Sequence, residues 1–367
     1  MKFNECCIRT VFIMLGNSCN FSCRHCVQEG FHSECFPIQS SLSDDTVNYL
    51  SRLASLKPFD EKIKIMFWGG EPLVYFDSIK NILSQLSSDK FIFSIVSNGA
   101  LLTPEIVSFL NDNNVSFTLS HDGVLTKDVR VQDVFEDESF CRLFSSIKNK
   151  SINAIISAYN CDYYNAWEYF DSVSPDTPVS FEFLMCNWDM PSDLYNFDLA
   201  TYRNSINKVI NTAFIDTLNG NISREFMLLS VARDNAIRFI TSTVENKPIL
   251  LFPRCGQMRT VLNIDCSGNV YACHNYSDKI GTIHDSYDSL LTVYDSKFGN
   301  ITAHEDCKSC EFLPLCCGGC PYSKPSIGKD MCCAVKKIFY QGVLDYISKF
   351  ADDKLLSEVD LSEVDLC

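Results

Sequence analysis

Val11-Phe12-Ile13-Met14-Leu15-Gly16-Asn17-Ser18-Cys19-Asn20-Phe21-Ser22-Cys23-Arg24-His25-Cys26 is the stretch that decides how this chain is read. Its first five residues form a short apolar run that reads as a buried strand, and they lead straight into three thiols spaced C-x3-C-x2-C. Thiolates are soft ligands that suit zinc or iron–sulfur clusters. A structural zinc site closes with a fourth protein ligand, for which His25 is the near candidate. A cubane cluster held by three thiolates instead leaves one iron open for chemistry.

The rest of the chain bears on that choice. At 367 residues it exceeds the size at which a single core stops growing, so one large domain and a smaller one are expected. A formal charge of −15 argues against nucleic acid as a partner, because a phosphate backbone demands a basic field. No segment approaches the ~18 apolar residues of a membrane span, and the N-terminus lacks a signal pattern. A cytoplasmic protein with no membrane partner is therefore expected. Twenty cysteines in a reducing compartment point to metal or redox work rather than to disulfides.

Over the first ~240 residues, β-rich runs alternate with amphipathic helices, the pattern of parallel β/α units. Strands are expected at residues 11–15, 63–67, 91–96, 115–119, 152–157 and 179–184. Ser43 before Asp44-Asp45, and Thr103 before Pro104-Glu105, mark helix starts. Six strands with outer helices make an α/β fold, a partial (β/α)6 barrel of the TIM type, with its chemistry at the carboxyl ends of the strands. The informative turns fall at those ends. Trp68-Gly69-Gly70-Glu71-Pro72 follows the second strand, Ser97-Asn98-Gly99 the third and Ser120-His121-Asp122-Gly123 the fourth. The glycines let a backbone approach a ligand closely, Glu71 suits an ammonium group, and the two later sets suit hydroxyls or a carboxylate.

Together these motifs resemble the radical S-adenosylmethionine (radical SAM) superfamily. The resemblance implies a [4Fe–4S] cluster on Cys19, Cys23 and Cys26, its remaining iron chelated by the amino and carboxylate groups of SAM. It further implies that Gly69, Gly70 and Glu71 meet the amino group, that Ser97 and its neighbour Asn98 lie near the ribose, and that Ser120 lies near the carboxylate. Either Arg130 or Arg142 would complete the carboxylate contact, and His25 would pack near the adenine.

From Cys255 the composition changes, with ten cysteines in 79 residues. Residues 262–271 read as a β-hairpin turning at Ser267-Gly268. Cys255, Gly268 and Cys273, followed by Cys307-x2-Cys310-x5-Cys316-x3-Cys320 and Cys332-Cys333, resemble the SPASM extension of radical SAM enzymes. This resemblance implies two auxiliary [4Fe–4S] clusters, three clusters in all. One would be held by Cys255, Cys273 and Cys320. The other would be held by Cys307, Cys310, Cys316 and either Cys332 or Cys333, with Cys332 favoured by its spacing to Lys336. Cys266 falls too far along the hairpin from Cys273 to share its cubane, which leaves an open iron or Cys317 as the fourth position. The expected organisation is a barrel domain over 1–240, a small cysteine-rich SPASM domain over 241–350 and an acidic tail over 351–367.

The function these resemblances imply is peptide modification. A 5′-deoxyadenosyl radical would crosslink residues of a ribosomally made precursor peptide through a thioether or C–C bond, or oxidise a side chain. The implied partners are that peptide, an electron donor such as flavodoxin or ferredoxin, and a separate leader-binding protein, since the first strand begins by about residue 11. An anaerobic sulfatase-maturing enzyme is the nearest rival and a small-molecule dehydrogenase the next. Members of the sulfatase-maturing group carry an aspartate base directly after the cysteine matching Cys273; His274 stands there, and is expected to serve as a base or as a neighbour that tunes the cluster.

Overall fold

The computed structural model describes residues 4–28, 40–185, 190–245, 255–299, 305–323 and 327–350; Cys35, Cys186 and the acidic tail lie outside them. All six expected strands are present as β1 (Thr10–Met14), β2 (Ile63–Trp68), β3 (Phe91–Ser97), β4 (Ser116–Ser120), β5 (Lys150–Ile156) and β6 (Val179–Phe183). Every neighbouring pair from β1 to β6 is parallel. Each strand has two faces of opposite character, because successive side chains alternate across the sheet. On β2, Ile63, Ile65 and Phe67 are fully buried against the outer helices, while Lys64, Met66 and Trp68 face the barrel interior.

The outer layer comprises α1 (Asp44–Ser55), α2 (Phe76–Gln85), α3 (Pro104–Asp112), α4 (Thr126–Arg130), α5 (Glu138–Ser146) and α6 (Tyr163–Val173). Its helix starts follow the local chemistry of the sequence. The Ser43 hydroxyl accepts from the Thr46 N–H and the Thr103 hydroxyl from the Ile106 N–H, each satisfying an otherwise orphaned donor. Ile79 and Ile82 of α2 and Leu50 and Leu53 of α1 share one apolar core with the outer faces of the strands.

Beyond β6, α7 (Leu199–Leu218) and α8 (Arg224–Val244) lead to a further strand set, β7 (Val261–Asp265), β8 (Asn269–Cys273) and β9 (Tyr276–Thr282). The hairpin expected around Ser267-Gly268 is β7–β8, and β9 adds an antiparallel strand that the sequence reading did not separate. β7 pairs in parallel with β1, so all nine strands form one sheet in the order β6-β5-β4-β3-β2-β1-β7-β8-β9. The sheet therefore runs without a break across residue 240. Helices α9 (Tyr287–Phe298), α10 (Glu305–Lys308), α11 (Leu313–Cys316) and α12 (Ile327–Ser348) follow. A second core forms where Ile206, Val209 and Ile210 of α7 meet Ile338, Phe339 and Val343 of α12. No helix among the described residues is long and apolar enough to cross a membrane.

Ile264 is fully buried in the barrel's own core although it lies on β7. Ile264→Ala should lower stability by about 2–5 kcal/mol, the usual cost of such a truncation. Urea unfolding followed by barrel and hairpin probes should still show one transition; two separated transitions would contradict the single-sheet description.

Candidate functional site

The cysteine loop is fixed by backbone contacts to the turn after β2. The Gly70 N–H donates to the Gly16 carbonyl at 3.0 Å and the Glu71 N–H to the Ser18 carbonyl at 2.9 Å. A Cβ on Gly69 would stand 2.5 Å from the Gly16 oxygen, and one on Gly70 2.4 Å from the Ser18 oxygen. These glycines thus admit the cysteine loop itself, where the sequence reading had them admit a ligand.

Glu71 is buried at the next position. Its Oε1 accepts from the Leu73 N–H at 2.9 Å and the Ser97 hydroxyl at 2.8 Å, and its Oε2 accepts from the Asn98 N–H at 2.8 Å. Burial raises its pKa while these three donors pull it down. A carboxylate offers about four lone-pair sites, so one site on Oε2 is left beside the cavity. Ser97 is spent on Glu71 and on the Gly99 N–H, and the Asn98 amide donates to Asn20 in the cysteine loop at 2.8 Å. Both residues still line the cavity wall, as does Ser120.

A second buried centre lies behind Cys23 and Cys26. Asp122 accepts from Arg130 Nε at 2.7 Å, pairs with His25 Nε2 at 2.9 Å and accepts from the Ile155 N–H at 2.8 Å. Burial alone would raise its pKa, but the Arg130 guanidinium and His25 hold the carboxyl well below the usual carboxylate range. Asp122 therefore anchors Arg130 and His25, where the sequence offered it to a ligand. His121 does similar internal work, pairing with Asp133 at 2.9 Å and stacking on Tyr169. Of the two candidate arginines, Arg130 lines the cavity, whereas Arg142 is an exposed residue of α5 paired with Glu138 one turn away.

Cys19, Cys23 and Cys26 open onto a cavity of about 1450 Å³ at the carboxyl ends of the strands, and Cys255, Cys273 and Cys320 line the same cavity. Within each set the thiols sense one another's charge. Burial pushes the Cys23 thiol up to about 12, against the pull of Arg130. Among the described residues no three His, Cys, Asp or Glu side chains gather around a single point as one metal ion would require. Thiolates on separate irons of a cubane stand wider apart than ligands of one ion. The Asn275 N–H donates to Cys273 Sγ at 3.4 Å. Cys266, already too far along the hairpin, is buried in the barrel core, and Cys317, the alternative to an open iron, does not line this wall, its thiol donating to the Pro314 carbonyl.

His274 lies on the same wall, stacked on Phe12 with ring centres 4.0 Å apart and edge-on to Trp68 at 4.7 Å. Burial pushes its pKa down to about 3. Interior polar residues that the sequence reading passed over, Lys64 on β2, Asn153 on β5 and Glu182 on β6, complete the cavity.

A smaller pocket is lined by Cys307, Cys310, Cys316, Cys332 and Cys333. Its residues from α12 include Lys329, Cys333, Lys336, Lys337 and Tyr340, a stripe at helical spacing that centres on the Cys333 side. Cys332 sits at the stripe's margin, and its thiol donates to the Leu184 carbonyl at 3.4 Å within an apolar cluster. The sequence spacing favoured Cys332; the helix face favours Cys333.

Residues 13–149 match the profile of the radical SAM superfamily. This chain carries a radical SAM domain. It is 23% identical over 337 residues to the radical SAM cyclopropyl synthase TigE of Paramaledivibacter caminithermalis, covering 85% of this chain and 68% of that protein. It is 24% identical over 334 residues to the cysteine-type anaerobic sulfatase-maturating enzyme of Clostridium perfringens, covering 83% and 86%. Among solved structures, the native enzyme anSMEcpe with bound AdoMet superposes with a TM-score of 0.67 at 19% identity, over 94% of this chain and 99% of that one. Streptococcus suis SuiB bound to its precursor peptide SuiA gives 0.58 at 16% identity, over 88% and 75%. The likeness establishes the fold: a partial barrel whose sheet continues into a cysteine-rich C-terminal extension. The radical SAM domain takes SAM and a [4Fe–4S] cluster, and the residues present fit them. Three thiols face the cavity, and the buried His25 Nδ1 on the same wall has no hydrogen-bond partner among the described residues.

Two predictions follow from these contacts. Glu71→Gln turns an amide N–H toward a backbone donor, which should cost about 1.5–3 kcal/mol of stability, read as a lower denaturation midpoint, and should weaken SAM binding in equilibrium dialysis. Unchanged stability and SAM affinity together would refute both roles. In the small pocket, Cys333→Ser should lose the iron of one cluster on anaerobic reconstitution, while Cys332→Ser keeps it; the reverse result would restore Cys332.

Proposed function

We propose that this chain is a radical SAM/SPASM enzyme that modifies a ribosomally made peptide, forming a crosslink or oxidising a side chain. One observation carries this reading: two separate cysteine sets, one in the loop after β1 and one gathered with Cys273 at the end of β8, open onto a single cavity of about 1450 Å³. Pockets for small ligands span roughly 300–1,000 Å³, so this cavity exceeds what SAM alone requires and leaves room for a peptide segment between the two sets. Cys19, Cys23 and Cys26 would hold the SAM-binding cluster, and Cys255, Cys273 and Cys320 the first auxiliary cluster. The second would rest on Cys307, Cys310, Cys316 and Cys333.

When bound, the cluster and SAM supply one-electron cleavage of SAM and, through it, hydrogen-atom abstraction from an unactivated C–H bond. The chain's own residues bind, orient and exclude water. The free lone pair on Glu71 Oε2 would accept from the SAM ammonium, Arg130 and Ser120 would serve its carboxylate, and His25 Nδ1 would be available to the bound molecule. The same reading brings in an electron donor such as flavodoxin or ferredoxin and a cytoplasmic setting.

The relatives act on peptides by different chemistry, and the test separates them. Anaerobically reconstituted protein should hold about three [4Fe–4S] clusters on the thiolate count, and should release 5′-deoxyadenosine from SAM under dithionite. Peptides encoded by neighbouring reading frames are then scanned by mass spectrometry. A loss of two hydrogens with a crosslinked fragmentation pattern supports the reading. Tightly bound zinc without iron, or SAM cleavage that no such peptide couples to a mass change, would overturn it.

A further inference from the structure

The wall beside Cys273 contains a chain of hydrogen bonds whose direction is set at its far end. The Tyr271 carbonyl can only accept, and it takes a hydrogen bond from the Asn263 amide nitrogen at 3.2 Å. That contact orients the Asn263 side chain, whose nitrogen also donates to Gln257 Oε1 at 2.5 Å. With its oxygen turned to Asn263, Gln257 presents its amide nitrogen to His274 Nδ1 at 3.3 Å. An amide nitrogen only donates, so Nδ1 must be the bare, accepting nitrogen, and that leaves the ring's single proton on Nε2. Asn263 is fully buried, and its Oδ1 has no partner among the described residues, so its amide is held by what its nitrogen donates to. Phe12 and Trp68 hold the ring plane from two sides.

We infer that Asn263 and Gln257 are positioning residues that lock His274 as its Nε2–H tautomer, so that His274 gives the substrate a hydrogen-bond donor, received by a carbonyl or carboxylate oxygen of the bound peptide. The inference rests on the peptide-modifying reading above and deepens it. A base at this position needs a bare nitrogen facing the substrate, and here the bare nitrogen faces Gln257. Nε2 makes no hydrogen bond to the described residues, and His274 lines the cavity, so its proton is available to a bound molecule.

The test begins with the tautomer itself. Holoenzyme labelled with 15N-histidine and kept oxidised is compared by NMR with the His274→Gln variant, which identifies the His274 signals. The parent should show the Nε2–H form. Gln257→Glu offers Nδ1 an acceptor in place of a donor and should move the proton to Nδ1. Asn263→Leu, which does not touch His274, should free the Gln257 amide to turn and give both forms. A parent in the Nδ1–H form, or a Gln257→Glu variant that keeps the Nε2–H form, would overturn the inference. Iron content confirms that each variant folds.

The role is then read with whichever peptide turns over in the assay above. His274→Gln retains a donor near the Nε2 position and should stay within about tenfold of the parent rate. His274→Ala should fall by roughly 10²-fold, the scale for a lost donor. Equal collapse of both variants would make His274 a base and reject the donor role. Failure of every peptide would instead strike the functional reading, and the tautomer measurement would stand apart from it.

Discussion

A buried carboxylate with three donors holds the upper rim of this barrel together. An ionised group taken out of water is costly unless it is hydrogen-bonded, and Glu71 meets that demand with the Leu73 N–H, the Ser97 hydroxyl and the Asn98 N–H. Its own backbone N–H meanwhile grips the Ser18 carbonyl. One residue therefore ties the turn after β2 to the turn after β3 and to the cysteine loop after β1. Asp122 repeats the device two strands further on, joining β4 to β5 through the Ile155 N–H while carrying Arg130 and His25. Three thiols that would otherwise ride on a loose loop are thus placed by two buried acids.

This arrangement explains what the sequence showed and what it hid. The six strands were legible because one face of each is apolar without interruption, and the helix starts because Ser43 and Thr103 carry their caps locally. The turns after β2, β3 and β4 were legible as special from their glycines and small polar residues. Their partners were not. Ser97, Asn98, His121 and Asp122 looked like groups awaiting a ligand, and each spends its side chain on another part of the protein. Sequence gives the inventory of donors and acceptors, whereas only the fold reveals which are already satisfied. The two arginines differ for the same reason: Arg142 has its carboxylate one turn away on an exposed helix, while Arg130 finds Asp122 inside.

The cavity's interior polar residues were visible as interruptions in apolar strands, such as Lys64 within Ile63–Trp68. Period-two alternation announces an inner face of different character but not whether that face meets solvent or ligand. Pairings between distant segments were hidden altogether. Nothing local in the run from Val261 to Asp265 announces that it lies against β1, because any apolar strand offers the same backbone groups to a neighbour.

That pairing has a mechanical consequence. The strand that leads into the first cysteine set, β1, and the strand bearing Cys273, β8, are separated only by β7, and every junction between them is a ladder of backbone hydrogen bonds. These ladders join the two strands without a break, and the same cavity is bordered by helices, at Leu228 and Val231 of α8, Cys316 of α11 and Phe339 of α12. A shift of those helices would leave the β1–β7–β8 register unchanged.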